Sequence, residues 1–181
     1  NPKILAPVAT PFSATGGLKL LSGNLGKSVI KVSAVNPEHR IVEAPARIFH
    51  SQQGLQDAFR TGQLDGDVIA VVRFQGPRSV GMPELHKLTP TLGILQDRGF
   101  KVALLTDGRM SGASGKVPAA IHMTPEASDG GAISKIRDGD MIRLDADAGT
   151  LTFLGDEREF LSRTPATEDL RKEHQGMGSE L

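Results

Sequence analysis

Residues 100–124, FKVALLTDGRMSGASGKVPAAIHMT, place a strand pattern directly before a glycine-rich polar loop. The apolar run from Val102 to Leu105 is typical of a strand buried on both faces. The loop at 107–116 combines three glycines with two serines, two cations and a carboxylate. Glycine lets backbone N–H groups approach a ligand closely, and hydroxyls with cations suit an anionic, oxygen-rich molecule. The loop thus suggests a ligand site, with an ordinary surface connection as the alternative interpretation.

Another predicted strand followed by a polar loop lies earlier in the chain, before residues 100–124. The continuous apolar run from Val68 to Val72 predicts another buried strand, and residues 73–84 form the loop after it. Thr89 and Pro90 then predict the start of a helix that Gly99 ends. The order strand, helix, strand over 67–106 predicts a βαβ crossover, in which ligands usually lie at the carboxyl ends of the strands.

The remaining pattern predicts short strands and many turns. We expect a looping entry at 1–27, strands at 28–35, 40–43 and 46–49, a helix from Ser51 to about Arg60, and a hairpin of 141–144 with 150–154. Pro45 separates the strand predicted over 40–43 from the one predicted over 46–49. The prediction is therefore an α+β, β-rich, barrel-like domain rather than a doubly wound sheet, which would need more alternation of strands and helices. From Thr164 the chain turns polar, and we expect a poorly ordered tail or one that needs a missing neighbour.

Composition narrows the classes of function. Lys and Arg number 21, as do Asp and Glu, so there is no basic excess of the kind that favours nucleic-acid binding. No apolar run approaches the roughly 18 residues of a membrane span. The chain has no cysteine, which excludes disulfides, thiolate zinc sites and an iron–sulfur cluster held by this chain alone.

Two residues of the polar loops are candidates for chemistry. Glu84, on a Gly/Pro-rich loop, suits a hard cation such as Mg²⁺, or is simply an acid at a helix entry. Ser111 needs a metal, a cation or a neighbouring base to stabilise its alkoxide, and Arg109 and Lys116 flank it. No Ser-His-Asp order or G-x-S-x-G elbow supports a hydrolase triad. The four cations of the two loops suit a carboxylate or a phosphate, or are scattered surface charges: Arg73, Arg78, Arg109 and Lys116.

At these two loops the sequence resembles the dihydroxy-acid and 6-phosphogluconate dehydratase family. The resemblance covers roughly residues 1–160 through several motifs in order: Thr15-Gly16-Gly17-Leu18, Gly23-Asn24-Leu25, Arg73-Phe74-Gln75-Gly76-Pro77, Gly81-Met82-Pro83-Glu84, Thr106-Asp107-Gly108-Arg109-Met110-Ser111-Gly112, Pro125-Glu126-Ala127, Gly130-Gly131 and Asp138-Gly139-Asp140. Three stretches look most like the 6-phosphogluconate branch: Phe74-Gln75, residues 84–88 and residues 111–116.

The resemblance implies the C-terminal part of a longer enzyme. Residues 1–163 would form a swivelling β/β/α domain, 164–181 a tail, and an N-terminal iron–sulfur domain would be absent from this chain. The family removes water from a 2,3-dihydroxy acid with an iron–sulfur cluster, here expected to be 4Fe–4S, as Lewis acid. Its members would be cytoplasmic homodimers that bind a sugar acid such as 6-phosphogluconate, and no nucleic acid or membrane.

The resemblance also implies roles for residues of this chain. Ser111 would take the C2 proton as an alkoxide, and Glu84 would help to hold Mg²⁺. Arg78, Arg109, Ser114 and Lys116 would bind substrate, although Ala113 stands where some sugar-acid members place a threonine. Two other interpretations stay open: a dehydratase for other sugar acids or branched-chain dihydroxy acids, and a non-catalytic swivelling module that docks a partner domain.

Overall fold

An eight-stranded closed barrel forms the centre of this computed structural model, which describes residues 1, 4–13, 16–111 and 115–170. Neighbouring strands follow the order β1-β2-β6-β5-β4-β3-β7-β8. The strands are β1 (Leu18–Gly23), β2 (Gly26–Lys31), β3 (Ile41–Phe49), β4 (Val68–Val72), β5 (Val102–Thr106), β6 (Ala119–Thr124), β7 (Met141–Asp145) and β8 (Thr150–Phe153). The predicted β-rich, barrel-like α+β class is confirmed.

Four consecutive neighbours around the barrel, β3, β4, β5 and β6, run parallel. The helices are α1 (Gln52–Arg60), α2 (Pro77–Val80), α3 (Leu88–Asp97) and α4 (Glu157–Ser162). The predicted βαβ crossover from β4 to β5 is confirmed, and β4 and β5 are buried along their whole lengths. Because parallel strands end at a common edge, the loops after β4 and β5 lie side by side.

Two apolar clusters stabilise the domain. One fills the barrel and includes Leu21, Ile30 and Leu105, and the other lies between the outer side of β4 and β5 and helices α1 and α3. In α1, the Ser51 hydroxyl accepts a hydrogen bond from the Gly54 N–H at 3.1 Å, which confirms the predicted N-cap.

Several local predictions are wrong in instructive ways. The looping entry contains β1, whose Leu and Lys residues carry little strand propensity; pairing with β2 and β8 holds it in place. The strand predicted over 28–35 ends at Lys31. The two strands predicted around Pro45 are one strand, β3, because Pro45 lies where β3 changes partner from β7 to β4. Helix α3 begins at Leu88, so Thr89 lies inside its first turn.

Packing continues past Arg163 as far as Leu170. The Ala166 N–H donates to the Ser134 carbonyl, and Ala166 and Leu170 pack against the barrel core. Glu168 Oε2 lies 2.5 Å from Nδ1 of His50. Apolar side chains and the hydrogen bond between Glu168 and His50 thus attach this part of the predicted tail, and residues 171–181 lie outside the described residues.

Arg163 joins the last helix to the barrel, which gives a test of this attachment. Its guanidinium, 8% exposed, donates to both carboxylate oxygens of Asp140 and stacks against Phe153 and Phe160 at 5.3 and 5.2 Å. We expect Arg163→Ala to lower the free energy of unfolding by about 2 kcal/mol, because it leaves Asp140 without its ion-pair partner and, among the described residues, with only the Arg137 N–H as a hydrogen-bond donor. Urea denaturation of the 181-residue chain measures this, with exposed Arg60→Ala as the control; equal midpoints for the two variants would contradict it.

Candidate active site

The two polar loops meet at the carboxyl edge of the parallel strands. Glu84 and Arg109 form a single parallel backbone bridge, and the Leu85 N–H donates to the Arg109 carbonyl at 3.2 Å. Arg109 Nε donates to the Met82 carbonyl at 3.1 Å. The loop after β4 is therefore tied along its length to the loop after β5.

Glu84 and Ser111 are in direct contact at this junction. Oε1 of Glu84 accepts a hydrogen bond from the backbone N–H of Ser111 at 2.5 Å, and Oε2 lies 3.0 Å from Nη1 of Arg109. The Glu84 side chain is 30% exposed and that of Arg109 is 51% exposed, so the cluster is open at the surface. Glu84, Arg109 and Ser111 thus form one polar cluster, although Glu84 and Ser111 are 27 positions apart in the sequence.

The other predicted substrate residues flank this cluster. Lys116 forms an ion pair with Asp97 at the end of α3 and lines a cavity of about 510 Å³ together with His86 and Thr89. Arg78 forms an ion pair with Asp129 and lines a separate cavity of about 430 Å³. Ser114 lies outside the described residues.

A buried carboxylate, Asp107, connects three loops below the cluster. It is 1% exposed and accepts backbone hydrogen bonds from Phe74, Gln75 and Ala127 at 3.2, 2.9 and 2.9 Å. Burial raises the pKa of Asp107, while these N–H donors act in the opposite direction. From the sequence, Asp107 is a second possible metal ligand or a residue that holds only its own loop; in the structure it also holds the loops after β4 and β6.

Glu126 is a second buried carboxylate. The sequence does not indicate it as a candidate site residue, although it lies in the motif Pro125-Glu126-Ala127 that resembles the dehydratase family. Its Oε1 accepts the backbone N–H of Arg78 at 2.9 Å. Its Oε2 is buried against Gly76, where a Cβ atom would lie 1.5 Å from it, and has no hydrogen-bond partner within the part of the chain that the structure describes. Burial raises the pKa of Glu126, and the charges of Asp107 and Asp129 raise it further.

Backbone strain marks the same edge of the barrel. Phe74, Met82 and His122 have φ values of 63, 60 and 56°, in the left-handed region that residues other than glycine rarely adopt. Such conformations persist where surrounding contacts enforce them, and they concentrate at functional sites. Here Phe74 is held by Asp107, and His122 by its backbone bond to the Gly108 carbonyl at 2.9 Å.

The buried Glu126 predicts a pH-dependent difference in stability. Because the pKa of Glu126 is raised in the fold, the folded state binds the proton of this carboxyl group more tightly than the unfolded state does. The contribution of Glu126 to the free energy of unfolding therefore falls as the pH rises above 4.5, the ordinary pKa of a glutamate side chain. We expect Glu126→Gln to gain stability relative to the native chain between pH 4 and pH 7. Urea denaturation at several pH values measures the difference, with exposed Glu38→Gln as the control for loss of a carboxylate. A difference for Glu126→Gln that stays constant over this range would contradict the assignment.

The metal-binding capacity of this edge is small within the chain itself. Among residues 1, 4–13, 16–111 and 115–170, no group of three His, Cys, Asp or Glu side chains is arranged to hold a metal ion. Glu84 can supply one carboxylate ligand, and a hard cation bound there would need several further oxygen ligands.

No helix in the described part of the chain is long and apolar enough to span a bilayer.

Comparison with known proteins identifies the family of this chain. Residues 3–180 match the family described as dihydroxy-acid/6-phosphogluconate dehydratase C-terminal. The chain is 61% identical over 181 residues to a phosphogluconate dehydratase of Rhizobium meliloti, covering the whole chain and 30% of that protein. It is 64% identical over 168 residues to the phosphogluconate dehydratase of Pseudomonas aeruginosa, covering 92% of the chain and 28% of the relative. A dihydroxy-acid dehydratase of Clostridium beijerinckii is 41% identical over 90% of the chain and 30% of the relative.

The chain therefore belongs to the dihydroxy-acid/6-phosphogluconate dehydratase family and corresponds to its C-terminal domain. It spans about 30% of the length of the curated relatives that it matches.

Proposed function

We propose that this chain is the C-terminal domain of a hydro-lyase that converts 6-phospho-D-gluconate to 2-dehydro-3-deoxy-6-phosphogluconate and water. The observation that carries the proposal is the contact between the two loops, in which Glu84 accepts the backbone N–H of Ser111 beside Arg109. The higher identity to proteins named phosphogluconate dehydratase than to one named dihydroxy-acid dehydratase supports this choice of substrate.

Ser111 acts as the base in this proposal. Its alkoxide takes the proton from C2 of the substrate, the C2–H electron pair forms the C2–C3 double bond, and the 3-hydroxyl leaves as hydroxide with the electron pair of the C3–O bond. The hydroxide takes up a proton from solvent to become water, and Ser111 returns the C2 proton to solvent, which regenerates its alkoxide. The resulting enol tautomerises to the 2-keto acid. A serine hydroxyl is a weak base, so its ionised form needs nearby positive charge, which Arg109 supplies within this chain.

Glu84 has two functions in the proposed site. Oε1 fixes the position of the Ser111 backbone, and Oε2 is available to a Mg²⁺ ion when Arg109 turns toward the substrate. The chemistry of the departing 3-hydroxyl requires a Lewis acid, which an iron–sulfur cluster of the 4Fe–4S type supplies when bound. Since this chain has no cysteine, the thiolate ligands for such a cluster come from the N-terminal domain.

The cations of the two loops recognise the acidic ends of the substrate. Arg109 is already at the Glu84–Ser111 contact and binds the carboxylate, and Lys116 and Arg78, which line separate cavities, are the two alternative cations for the phosphate. Lys116 exchanges Asp97 for the phosphate at modest cost, because the pair is about half exposed. Ser114, in the same loop, contributes a hydroxyl to the substrate. The complete enzyme works in the cytoplasm as a homodimer.

Rates on three substrates test the proposal. With the purified full-length holoenzyme, we expect kcat/KM for 6-phosphogluconate to exceed that for gluconate and for a branched-chain 2,3-dihydroxy acid. Formation of the 2-keto acid is measured by a coupled or colorimetric assay. A preference for the branched-chain acid would favour a dihydroxy-acid dehydratase, and no turnover of any of the three would favour a non-catalytic docking module.

Lys116→Ala separates phosphate recognition from catalysis. We expect it to raise KM for 6-phosphogluconate about tenfold and to leave the rate on gluconate nearly unchanged, because one exposed charge-assisted contact is lost. Lys87→Ala, on the neighbouring loop, controls for loss of a surface lysine. A loss of equal size for both substrates would remove the phosphate-binding role.

A further inference from the structure

The cavity of about 510 Å³ beside the candidate active site lies along one side of α3. Thr89, Gly93 and Asp97 line it at intervals of four residues, so they lie on the same face of the helix. His86, two residues before α3, and Lys116, in the loop before β6, add two basic side chains. Thr89 and His86 are thus at the N-terminal end of the helix, and Lys116 pairs with Asp97 at the other end.

The hydroxyl of Thr89 is a buried polar group that the fold does not use. Thr89 is 7% exposed, and its Oγ1 has no hydrogen-bond partner within the part of the chain that the structure describes. Burial of a hydroxyl without a hydrogen bond costs roughly 1–3 kcal/mol, which a valine of similar shape would avoid. Thr89 therefore indicates a partner that the described residues do not supply.

Gly93 keeps the space in front of α3 open. A glycine inside a helix destabilises it by roughly 1 kcal/mol relative to alanine. A Cβ atom at Gly93 would meet no atom within 4 Å beyond its chain neighbours and the backbone of its own helix, and its φ is not in the left-handed region. Neither packing nor backbone conformation thus requires glycine here, and what a larger side chain would remove is the open volume of the cavity.

The first turn of α3 favours an anion. The helix has ten residues, and no side chain of the described part of the chain caps its N-terminus. The helix macrodipole places partial positive charge at that end, where phosphate groups bind well. The acidic side chain that lines the cavity, Asp97, lies at the opposite end of the helix and pairs with Lys116. The electrostatics of the cavity therefore favour a small anion near Thr89.

The cavity adjoins the cleft at the proposed base. Gly115 lines both this cavity and the small cleft that Ser111 lines. In 6-phosphogluconate, four carbons and an ester oxygen separate C2 from phosphorus, so a substrate with C2 at Ser111 can extend into the neighbouring cavity. Among the described residues, the cavity that Arg78 lines shares no lining residue with this cleft. The connection through Gly115 thus favours the cavity beside α3 for the far end of the substrate.

We propose that the cavity beside α3 binds the phosphate group of the substrate, with the Thr89 hydroxyl and His86 as hydrogen-bond donors and Lys116 as the counter-ion. The inference rests on the proposed function and deepens it, because it assigns the phosphate to one of the two cavities that the loops offer. Threonine in a helix adopts two χ1 rotamers, so the Thr89 hydroxyl can turn toward the phosphate. Gly93 leaves room for the phosphate oxygens against the helix.

Turnover of 6-phosphogluconate and of gluconate by the full-length holoenzyme tests this subsite, because only the first substrate carries the phosphate. Thr89→Val and His86→Ala each remove one donor, and Gly93→Leu fills the cavity. Thr91→Val is the matched control, since Thr91 is similarly buried on the same helix and is not a lining residue of the cavity. We expect each of the first three variants to raise KM for 6-phosphogluconate about tenfold and to leave KM for gluconate within about twofold, whereas Thr91→Val changes neither.

Binding of inorganic phosphate to the same full-length proteins, measured by isothermal titration calorimetry, gives a readout that does not depend on turnover. We expect Thr89→Val and Gly93→Leu to bind phosphate at least about tenfold more weakly than the native protein and Thr91→Val do.

Three kinetic outcomes would overturn the proposal: unchanged KM values in Thr89→Val and Gly93→Leu, equal increases for both substrates, or a selective increase in Arg78→Ala alone. In each of them, turnover of 6-phosphogluconate by the native enzyme would leave the proposed function standing. A protein that turns over neither substrate but binds phosphate in a Thr89-dependent way would reject the proposed function and retain the anion site. The absence of both turnover and Thr89-dependent binding would reject both.

Discussion

Ser111→Ala in the full-length holoenzyme should lower kcat for 6-phosphogluconate by about a thousandfold or more, with a much smaller change in KM. The expected size follows from removal of the group that abstracts the C2 proton, since general bases contribute on the order of 10²–10⁴ in rate. Ser111 is exposed at the surface of this domain, and the backbone N–H that Glu84 holds is present in the variant, so the loop should keep its position. Steady-state kinetics together with exchange of the C2 hydrogen with solvent measures the effect.

Ser128→Ala is the matched control for removal of a serine hydroxyl near the same edge. The Ser128 hydroxyl lies 2.7 Å from that of Ser79 and contacts neither Glu84 nor Arg109 among the hydrogen bonds of the structure. We expect it to keep kcat within a few-fold of the native enzyme. If Ser111→Ala retained native turnover and native C2 exchange, Ser111 would not be the base.

Asp107→Ala should lower the free energy of unfolding by about 3–5 kcal/mol, the largest stability effect that we predict. The substitution leaves the N–H groups of Phe74, Gln75 and Ala127 buried without an acceptor, and each such group costs roughly 1–3 kcal/mol. Part of this cost is offset, because Asp107 is itself expensive to bury, as its raised pKa shows. Urea denaturation of the 181-residue chain at pH 7 measures the change.

Two further variants separate the loop-joining role of Asp107 from a general effect of removing an acid. Asp107→Asn keeps one acceptor oxygen and should lose about half as much stability. Asp147→Ala removes a half-exposed acid whose ion pair with Arg40 is 3.5 Å long and should change stability by less than about 1 kcal/mol. Equal losses for Asp107→Ala and Asp147→Ala would contradict the loop-joining role.

The sequence predicts the parallel half of this barrel better than the antiparallel half. Strands β4 and β5 are continuous apolar runs because both of their faces are buried, and such runs are recognisable without knowledge of their neighbours. Strand β1 has only Leu21 fully buried, so its formation depends on long-range pairing with β2 and β8. Pro45 similarly indicates a break, and only the exchange of partners along β3 shows why the strand continues.

The candidate site also has residues that the local sequence predicts and residues that only the long-range contacts explain. Residue types in the two loops predict an anion-binding edge, which stays a prediction, and the structure adds that Glu84 contacts Ser111 at this edge. Asp107 and Glu126 are harder to interpret, because a buried acid and an exposed acid look alike in sequence until the neighbouring loops are known. The roles proposed for Ser111 in proton abstraction and for Arg78, Arg109, Ser114 and Lys116 in substrate binding stay predictions.

The closed ring of strands has a mechanical consequence. Every strand of the barrel is hydrogen-bonded on both sides, so the ring has no free edge along which it can hinge. Glu84, Arg109 and Ser111 are fixed to one rim of that ring by Asp107 and by each other. Any motion of this unit within a larger enzyme would therefore carry all three as a rigid group. Opening and closing would change their distance to the rest of the enzyme and leave the relative positions of their backbones intact, while the Arg109 side chain can still turn toward the substrate.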